Sequence, residues 1–351
     1  MTSEAQSGLG TLLATAAPEV SLAEAETIAR DIFGISGTAR PLSGERDSNF
    51  HLSASNGAFV LKFSHPAEDA LITNFQNQAL LHIAARDATL PVPHVWRSLA
   101  GQTEWLFERA DEAPRVVRVL TYLDGVPFSA ASATRGQRRN LGTVLARLDL
   151  AMAGFSHPSA HYELMWDIKH ALNLRNLLEH IEDPAERALA KHFLDNFATH
   201  VQPAMAGLRA QVIHNDMNPH NILLDSADPD QIAGIIDFGD MVHAPLINNL
   251  AVASAYLTSE DGHPMQAMGD VIAAYHQVLP LERAELDLLY DLVATRLVLI
   301  VAISGWRAAR YPENRDYILR NNRRAWTGLS RLRELPRQAA QDWLRQLCEK
   351  G

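Results

Sequence analysis

The hydrophobic pattern of this chain turns from mainly strand-like in its first third to mainly helical after it, and that shift limits the architectures open to it. From residue 38 to about Leu123 the chain reads mainly as short strands bounded by turn formers. Phe50-His51-Leu52-Ser53 alternates, Asn56-Gly57 is a strong hairpin signal, and Ala58–Phe63 reads as the partner strand. Val92–Trp96, Glu104–Glu108 and Val116–Leu123 read as further strands, the last closed by Asp124-Gly125. One helical stretch, Asp69 to Arg86, is inserted among them. Upstream, Ser21-Leu22-Ala23-Glu24 is a capping box that predicts a helix to Phe33, ended by Gly34. The stretch from Leu42 to Asn49 is rich in turn formers.

From about Ala133 the pattern is helical. Helices are predicted over Arg135–Met152, Ile168–His180 and Pro184–Leu208, with short apolar strands at Ile222–Leu224 and Ala233–Ile236 and more helices to the end. The most apolar run, Leu286–Ala302, is interrupted by Asp287, Asp291 and Arg296. Three charges suit a buried core helix and not a lipid-spanning one. A sheet-rich third followed by a helix-rich remainder predicts an α+β protein of two lobes with a cleft between them, and 351 residues suit two domains. The boundary falls between Leu123 and Asp124, giving lobes of residues 1–123 and 124–351.

Composition narrows the function. Apolar residues at 47% and charged residues at 21% exclude a disordered or collagen-like chain. The 41 acidic residues against 31 basic ones leave a net charge of −10, which argues against nucleic acid or an anionic membrane as partner. The single cysteine, Cys348, permits neither an internal disulfide nor a thiolate metal cluster. The start, Met1-Thr2-Ser3-Glu4, lacks the basic and apolar runs of a secretory signal, so a cytoplasmic protein is expected.

The chemistry concentrates in two stretches. In Val212-Ile213-His214-Asn215-Asp216-Met217-Asn218-Pro219-His220-Asn221-Ile222-Leu223-Leu224 a polar loop carrying Asp216 and Asn221 lies between two apolar runs. In Gly234-Ile235-Ile236-Asp237-Phe238-Gly239-Asp240 an acidic residue ends a strand beside a glycine. Phosphoryl transfer from a nucleotide needs a carboxylate to orient the attacking hydroxyl and accept its proton, and hard oxygen ligands to hold magnesium against the phosphates. Asp216 can supply the first, Asn221 and Asp237 the second.

The paired motifs His-x-Asp-x-x-x-x-Asn and Ile-Asp-Phe-Gly-Asp resemble those of the aminoglycoside phosphotransferase family, small-molecule kinases of protein-kinase-like fold. Leu42-Ser43-Gly44-Glu45-Arg46-Asp47-Ser48-Asn49-Phe50 and Gly234–Met241 look like its hydroxylysine kinase branch. The resemblance implies a small antiparallel-sheet lobe that binds nucleotide and a mostly helical catalytic lobe. It implies ATP, with GTP not excluded, and magnesium. Asp216 would be the catalytic carboxylate, with Asn221 and Asp237 as metal ligands. Lys62 would touch the α- and β-phosphates, Gly44–Asn49 would cover them through Ser48 and Asn49, and Thr121 and Leu123 would belong to the hinge that holds adenine. The family's helix glutamate, which pairs with the strand lysine, is replaced by Gln76, with Glu68 or Asp69 as substitutes.

The acceptor implied is the hydroxyl of a small amine such as hydroxylysine or another amino alcohol. Aminoglycosides, homoserine or choline are alternatives, as is a silent nucleotide-binding protein, against which the intact Asp216, Asn221 and Asp237 argue. Ser48 and Asn49 can equally form a plain hairpin turn. Asp240 can bind a second metal, meet a substrate ammonium or cap a helix. Arg307 and Arg310 share a helix face at i, i+3 and can grip a substrate carboxylate.

Overall fold

A computed structural model describes residues 18–44, 47–110 and 112–349. In helix α1 (Leu22–Phe33) the Ser21 hydroxyl accepts from the Glu24 N–H, and the Glu24 carboxylate accepts from the Ser21 N–H. Gly34 ends the helix at φ 68°, a left-handed conformation that costs residues with a Cβ roughly 1–2 kcal/mol.

Six strands follow: β1 (Gly37–Leu42), β2 (Ser48–Ala54), β3 (Gly57–Phe63), β4 (Val95–Trp96), β5 (Trp105–Phe107) and β6 (Arg115–Thr121). Helix α2 (Ala70–Arg86) enters after β3. The sheet is antiparallel, in the order β1-β2-β3-β6-β4, with β5 also on β6. Strand β1 pairs with β2 along its whole length, although the sequence pattern leaves it unmarked. Ala39 is its only buried residue and it carries Pro41, so it is an edge strand with little need of apolar alternation. Along β3, Phe59, Leu61 and Phe63 point into a core with Phe50, Leu52 and Val119, which puts Lys62 on the opposite face.

The chain divides after Asp124. The first unit runs to that residue and includes His157–Ser159; the second holds Gly125–Ser156 and the chain from Ala160 on. His157 stacks on Phe75 of α2 at 5.2 Å within the first unit.

The second unit contains β7 (Val126–Pro127), α3 (Arg135–Met152), α4 (Pro184–Asn196), β8 (Ala210–Ile213), β9 (Ile222–Leu224), β10 (Ile232–Ile235) and β11 (Val242–Pro245). Helices α5 (Ile247–Ala255), α6 (Gln266–Val278), α7 (Arg283–Arg310), α8 (Asn322–Arg333) and α9 (Arg337–Glu349) complete it. Two small antiparallel sheets, β10-β9-β7 and β11-β8, carry the loops described below. Helix α7 is the axis of the unit: 28 residues long and buried without interruption from Leu288 to Ser304. No helix among the described residues is long and apolar enough to cross a membrane.

Two predicted helices take other forms. Ile168–His180 winds as 3-10 turns. The helix expected over Pro184–Leu208 stops at Asn196 and continues as a wider turn over Phe197–Val201, before Pro203 removes the next backbone donor. Cys348 is buried on α9, where burial raises its thiol pKa to about 11.

Candidate active site

The loop between β8 and β9 carries Asp216 and is anchored from beneath. Asn215 has φ 63°, and its backbone N–H donates to Asn249 Oδ1 at 3.0 Å. The Asn249 amide donates to Asp149 Oδ1 at 2.7 Å, and the Tyr275 hydroxyl donates to Asp149 Oδ2 at 2.7 Å. Both Asp149 oxygens are thus engaged inside the core. Burial still pushes its carboxyl up to about 7, against the pull of those two hydrogen bonds.

Asp216 is held through both oxygens. Oδ2 accepts from Asn218 Nδ2 at 2.9 Å and from Asn221 Nδ2 at 2.8 Å; Oδ1 accepts from Arg296 Nη2 at 3.1 Å. A carboxylate oxygen offers about two lone-pair sites, so Oδ2 is filled and Oδ1 keeps one acceptor position. Burial raises the Asp216 pKa to about 7 and Asp240 adds to the rise; Arg296 opposes it, Asp237 adds further, and Asn218 opposes it.

The second loop begins at Asp237, whose φ of 62° is unusual for a residue with a side chain. Its Oδ1 accepts from the Gly239 N–H at 3.2 Å, which closes a short turn over Phe238–Asp240. His214 ties the two loops together. Its Nδ1 accepts from the Asp216 N–H at 3.3 Å, and its Nε2–H donates to the Ile236 carbonyl at 3.1 Å. Burial lowers its pKa to about 4, so the imidazole is neutral in this bridge.

Asp216, Asp237 and Asp240 therefore converge within one unit, with Arg296 as the cation that opposes their mutual effect on Asp216. Asn221 uses its Nδ2 twice, on the Asp216 carbonyl at 3.0 Å and on its carboxylate, while its Oδ1 accepts no hydrogen bond among the described residues. That oxygen and the exposed Asp237 carboxylate are the kind of donors magnesium takes. No cluster of three or more His, Cys, Asp or Glu suited to a metal is present among the described residues. A pair of oxygen donors beside converging acids thus fits an ion that completes its shell with water and phosphate.

The first unit holds the other residues singled out from the sequence. Lys62 Nζ lies 3.5 Å from Asp47 Oδ2, and Asp47 Oδ1 accepts from the His65 N–H at 3.2 Å. The lysine's acidic partner therefore comes from the turn before β2. None of the three candidates on or just before α2 takes that place. Gln76 accepts from Arg118 Nη2, Glu68 accepts from Thr73 at 3.2 Å, and Asp69 caps α2. Arg118 stands directly across from Lys62 in the β3–β6 register, so Gln76 serves the neighbour of the expected residue.

Ser48 accepts from the buried Arg115 at 2.9 Å, which ties its hydroxyl into the sheet. Asn49 Oδ1 is buried without a partner among the described residues. A Cβ on Gly44 would meet the Asp47 backbone oxygen at 2.8 Å, which disfavours a larger residue there; Glu45 and Arg46 of the same expected turn lie outside the described residues. Thr121 is bound to His94 through both its N–H and its hydroxyl, each at 2.9 Å, while the Leu123 main chain makes no hydrogen bond among the described residues.

Arg307 and Arg310 sit near the C-terminal end of α7, three to four turns and about 16–21 Å of helix axis beyond Arg296. Arg310 packs on the Tyr311 ring. Among the described residues, the arginine that hydrogen-bonds Asp216 is Arg296. Its guanidinium also donates to the Trp166 carbonyl at 2.8 Å and lies 5.2 Å from the Trp166 ring centroid. Burial works against its charge, but Tyr256, Asp216 and Asp240 outweigh that and its pKa is raised. A guanidinium in the middle of the chain's most apolar run was the available signal, because a buried charge needs a partner.

The phosphotransferase enzyme family model matches residues 38–289. Hydroxylysine kinase from Mus musculus is 27% identical over 94% of this chain and 93% of its own length. Among solved structures, a microcompartment-associated aminopropanol kinase superimposes with a TM-score of 0.69 at 18% identity, covering 93% of this chain and 99% of that one. An amicoumacin kinase in complex with AMP-PNP and Ca2+ gives 0.61 at 12% identity over 96% and 95%. With the paired aspartate loops in place, these similarities establish the two-lobed α+β kinase-like fold and small-molecule phosphotransferase activity on hydroxyl groups, and the chain belongs to the phosphotransferase enzyme family.

Proposed function

We propose that the protein is an ATP- and magnesium-dependent kinase that phosphorylates the hydroxyl of a small amine-bearing metabolite, of the kind represented by hydroxylysine. The observation that carries this reading is Asp216: Oδ2 is saturated by two amides, and Oδ1 is oriented by Arg296 with one acceptor position left. The acceptor hydroxyl donates to that position. As its oxygen bonds to the γ-phosphorus, the bond from phosphorus to the bridging oxygen breaks, the proton passes to Asp216, and the nucleoside diphosphate leaves. Little covalent work is asked of the protein; alignment of two bound reactants can supply about 7–11 kcal/mol.

Asn221 and Asp237 would hold magnesium, which when bound offsets phosphate charge. Lys62, kept in place by Asp47, offsets more of it. Asn49 Oδ1 and the Leu123 main chain, which have no hydrogen-bond partner among the described residues, are better suited to contact nucleotide than Ser48 or Thr121, whose polar groups are already engaged. In this reading residues 1–123 carry the nucleotide contacts and 124–351 the catalytic and acceptor-binding groups. The mouse hydroxylysine kinase, similar along nearly its full length, supports the acceptor class.

The test is a coupled nucleoside-diphosphate release screen, run with ATP and with GTP, over amino alcohols, hydroxy-amino acids, sugars and aminoglycosides. Turnover with hydroxylysine or a related hydroxy-amine, dependent on magnesium, is expected. Turnover only with a neutral sugar or only with aminoglycosides overturns the acceptor class.

A further inference from the structure

The second unit has a cavity of about 40 Å³ beside the catalytic loop. His220 of that loop lines it, with Tyr256, Thr258, Leu297, Asn321 and Arg324 among the other walls. At about 10–15 Å³ per water this space holds roughly three waters, enough for one small polar end of a molecule and too little for a sugar ring.

The lining has a definite sign. It contains no carboxylate, in a chain where acidic residues outnumber basic ones. Arg324 makes no ion pair and no side-chain hydrogen bond among the described residues, whereas Arg296, one helix away, is paired with Asp216. Thr258 Oγ1 is buried without a partner among the described residues. Asn321 is the N-cap residue of α8 and makes no side-chain cap, so the first turn of a 12-residue helix adds its positive dipole end to the same wall. Arg320 lies close enough to be felt electrostatically by both His220 and Tyr256.

The cavity is also coupled to the reacting group. His220 is four positions after Asp216 in one tight loop, and the cavity-lining Leu297 follows Arg296, which holds Asp216 Oδ1. The cavity is therefore walled by the same loop and the same helix that carry Asp216 and Arg296.

We infer that this cavity is the subsite for an anionic end of the acceptor, a carboxylate, and that Arg324 is the residue that selects hydroxy-amino acids over plain amino alcohols. This rests on the kinase reading above and adds a residue to it. It also moves the carboxylate-binding role from Arg307 and Arg310 to Arg324. The Arg324 guanidinium and the Thr258 hydroxyl donate to the carboxylate, and the Leu297 side chain packs against the carbon next to it.

The experiment compares hydroxylysine with its decarboxylated counterpart, which differs only in the carboxylate, as acceptors for the wild type, Arg324→Met, Arg324→Lys and Thr258→Val. A charge-assisted contact of about 1.5–3 kcal/mol corresponds to roughly 10–150-fold, so Arg324→Met is expected to lower the kcat/KM preference for hydroxylysine by that factor. The loss should appear in the acceptor KM, with partial recovery in Arg324→Lys and a smaller loss in Thr258→Val. An unchanged preference in Arg324→Met overturns the inference, as does an equal loss for both acceptors or a change confined to the KM for ATP. If the wild type turns over other acceptors and refuses every carboxylate-bearing one, the subsite fails and the kinase reading stands. If no acceptor supports diphosphate release that Asp216→Asn abolishes, it is the kinase reading that fails.

Discussion

Arg296 Nη2 stands 3.1 Å from Asp216 Oδ1, joining the central helix of the second unit to a loop 80 positions earlier in the chain. The guanidinium is almost wholly buried, so its charge is not dissipated by solvent, and it restrains one carboxylate oxygen without filling it.

Arg296→Met should therefore lower kcat more than it raises the KM of either substrate. Losing a hydrogen bond between charged groups is worth about 1.5–3 kcal/mol, or roughly 10–150-fold in rate. Arg296→Lys keeps the charge, loses the two-sided grip on Asp216 and the Trp166 carbonyl, and should fall between the two. Steady-state kinetics with both substrates varied makes the measurement. A normal kcat in the methionine variant would remove Arg296 from the mechanism.

Asp216→Asn keeps the shape of the loop, but an amide cannot take the hydroxyl proton. The expected result is a loss of about 10²–10⁴-fold in kcat, with nucleotide binding retained. Binding is followed by titrating a fluorescent ATP analogue. A variant with most of its turnover would show that another group accepts the proton.

Asp237→Ala removes the exposed carboxylate that begins the second loop. Calorimetry should show that the nucleotide no longer binds more tightly with magnesium than without it. Should the magnesium dependence persist, Asp237 serves the turn it closes with Gly239 and not a metal.

Asp149 makes a prediction about stability. Its carboxyl titrates at about 7 in the fold, against an ordinary value of 3.8, because burial penalises the anion. A raised acid binds its proton more tightly in the folded state, so its contribution is fully present below about pH 4 and is lost as the pH rises through about 7. The full shift is worth up to about 4 kcal/mol. His214, held neutral with its pKa near 4, works in the opposite direction as the pH falls from about 6.5, so the comparison must be made by difference. The unfolding free energy of the wild type relative to Asp149→Asn should decrease between pH 4 and pH 7, measured by urea denaturation. A pH-independent difference would mean that Asp149 is ionised throughout.

Several features were legible because they are local. The capping box of Ser21 and Glu24 spans one helical turn. The hairpin from β2 to β3 is announced by Asn56 and Gly57, and its turn falls there. Strand β1 was not legible, since an edge strand carrying Pro41 buries too little to show a pattern. The break after Asn196 was also missed, because apolar spacing continues through Phe197–Val201 while the backbone widens into a different turn.

The sequence by itself determined that Asp216 and Asn221 share one loop and that Asp237 opens another. Their spacing lies within the reach of single turns, and short-range hydrogen bonds such as the one from Asn221 to Asp216 follow from that spacing. What only the tertiary structure decided is which distant charge meets which. It brought Arg296 to Asp216, gave Lys62 the carboxylate of Asp47, and left Gln76 to Arg118. It also placed Arg324, on α8, at the cavity, while Arg307 and Arg310 lie near the C-terminal end of α7. A charged side chain carries no mark of its partner in the sequence. The partner is set by which faces of helices and strands are forced together to bury their apolar residues, and a buried charge must then find its counterpart among whatever that packing brings near.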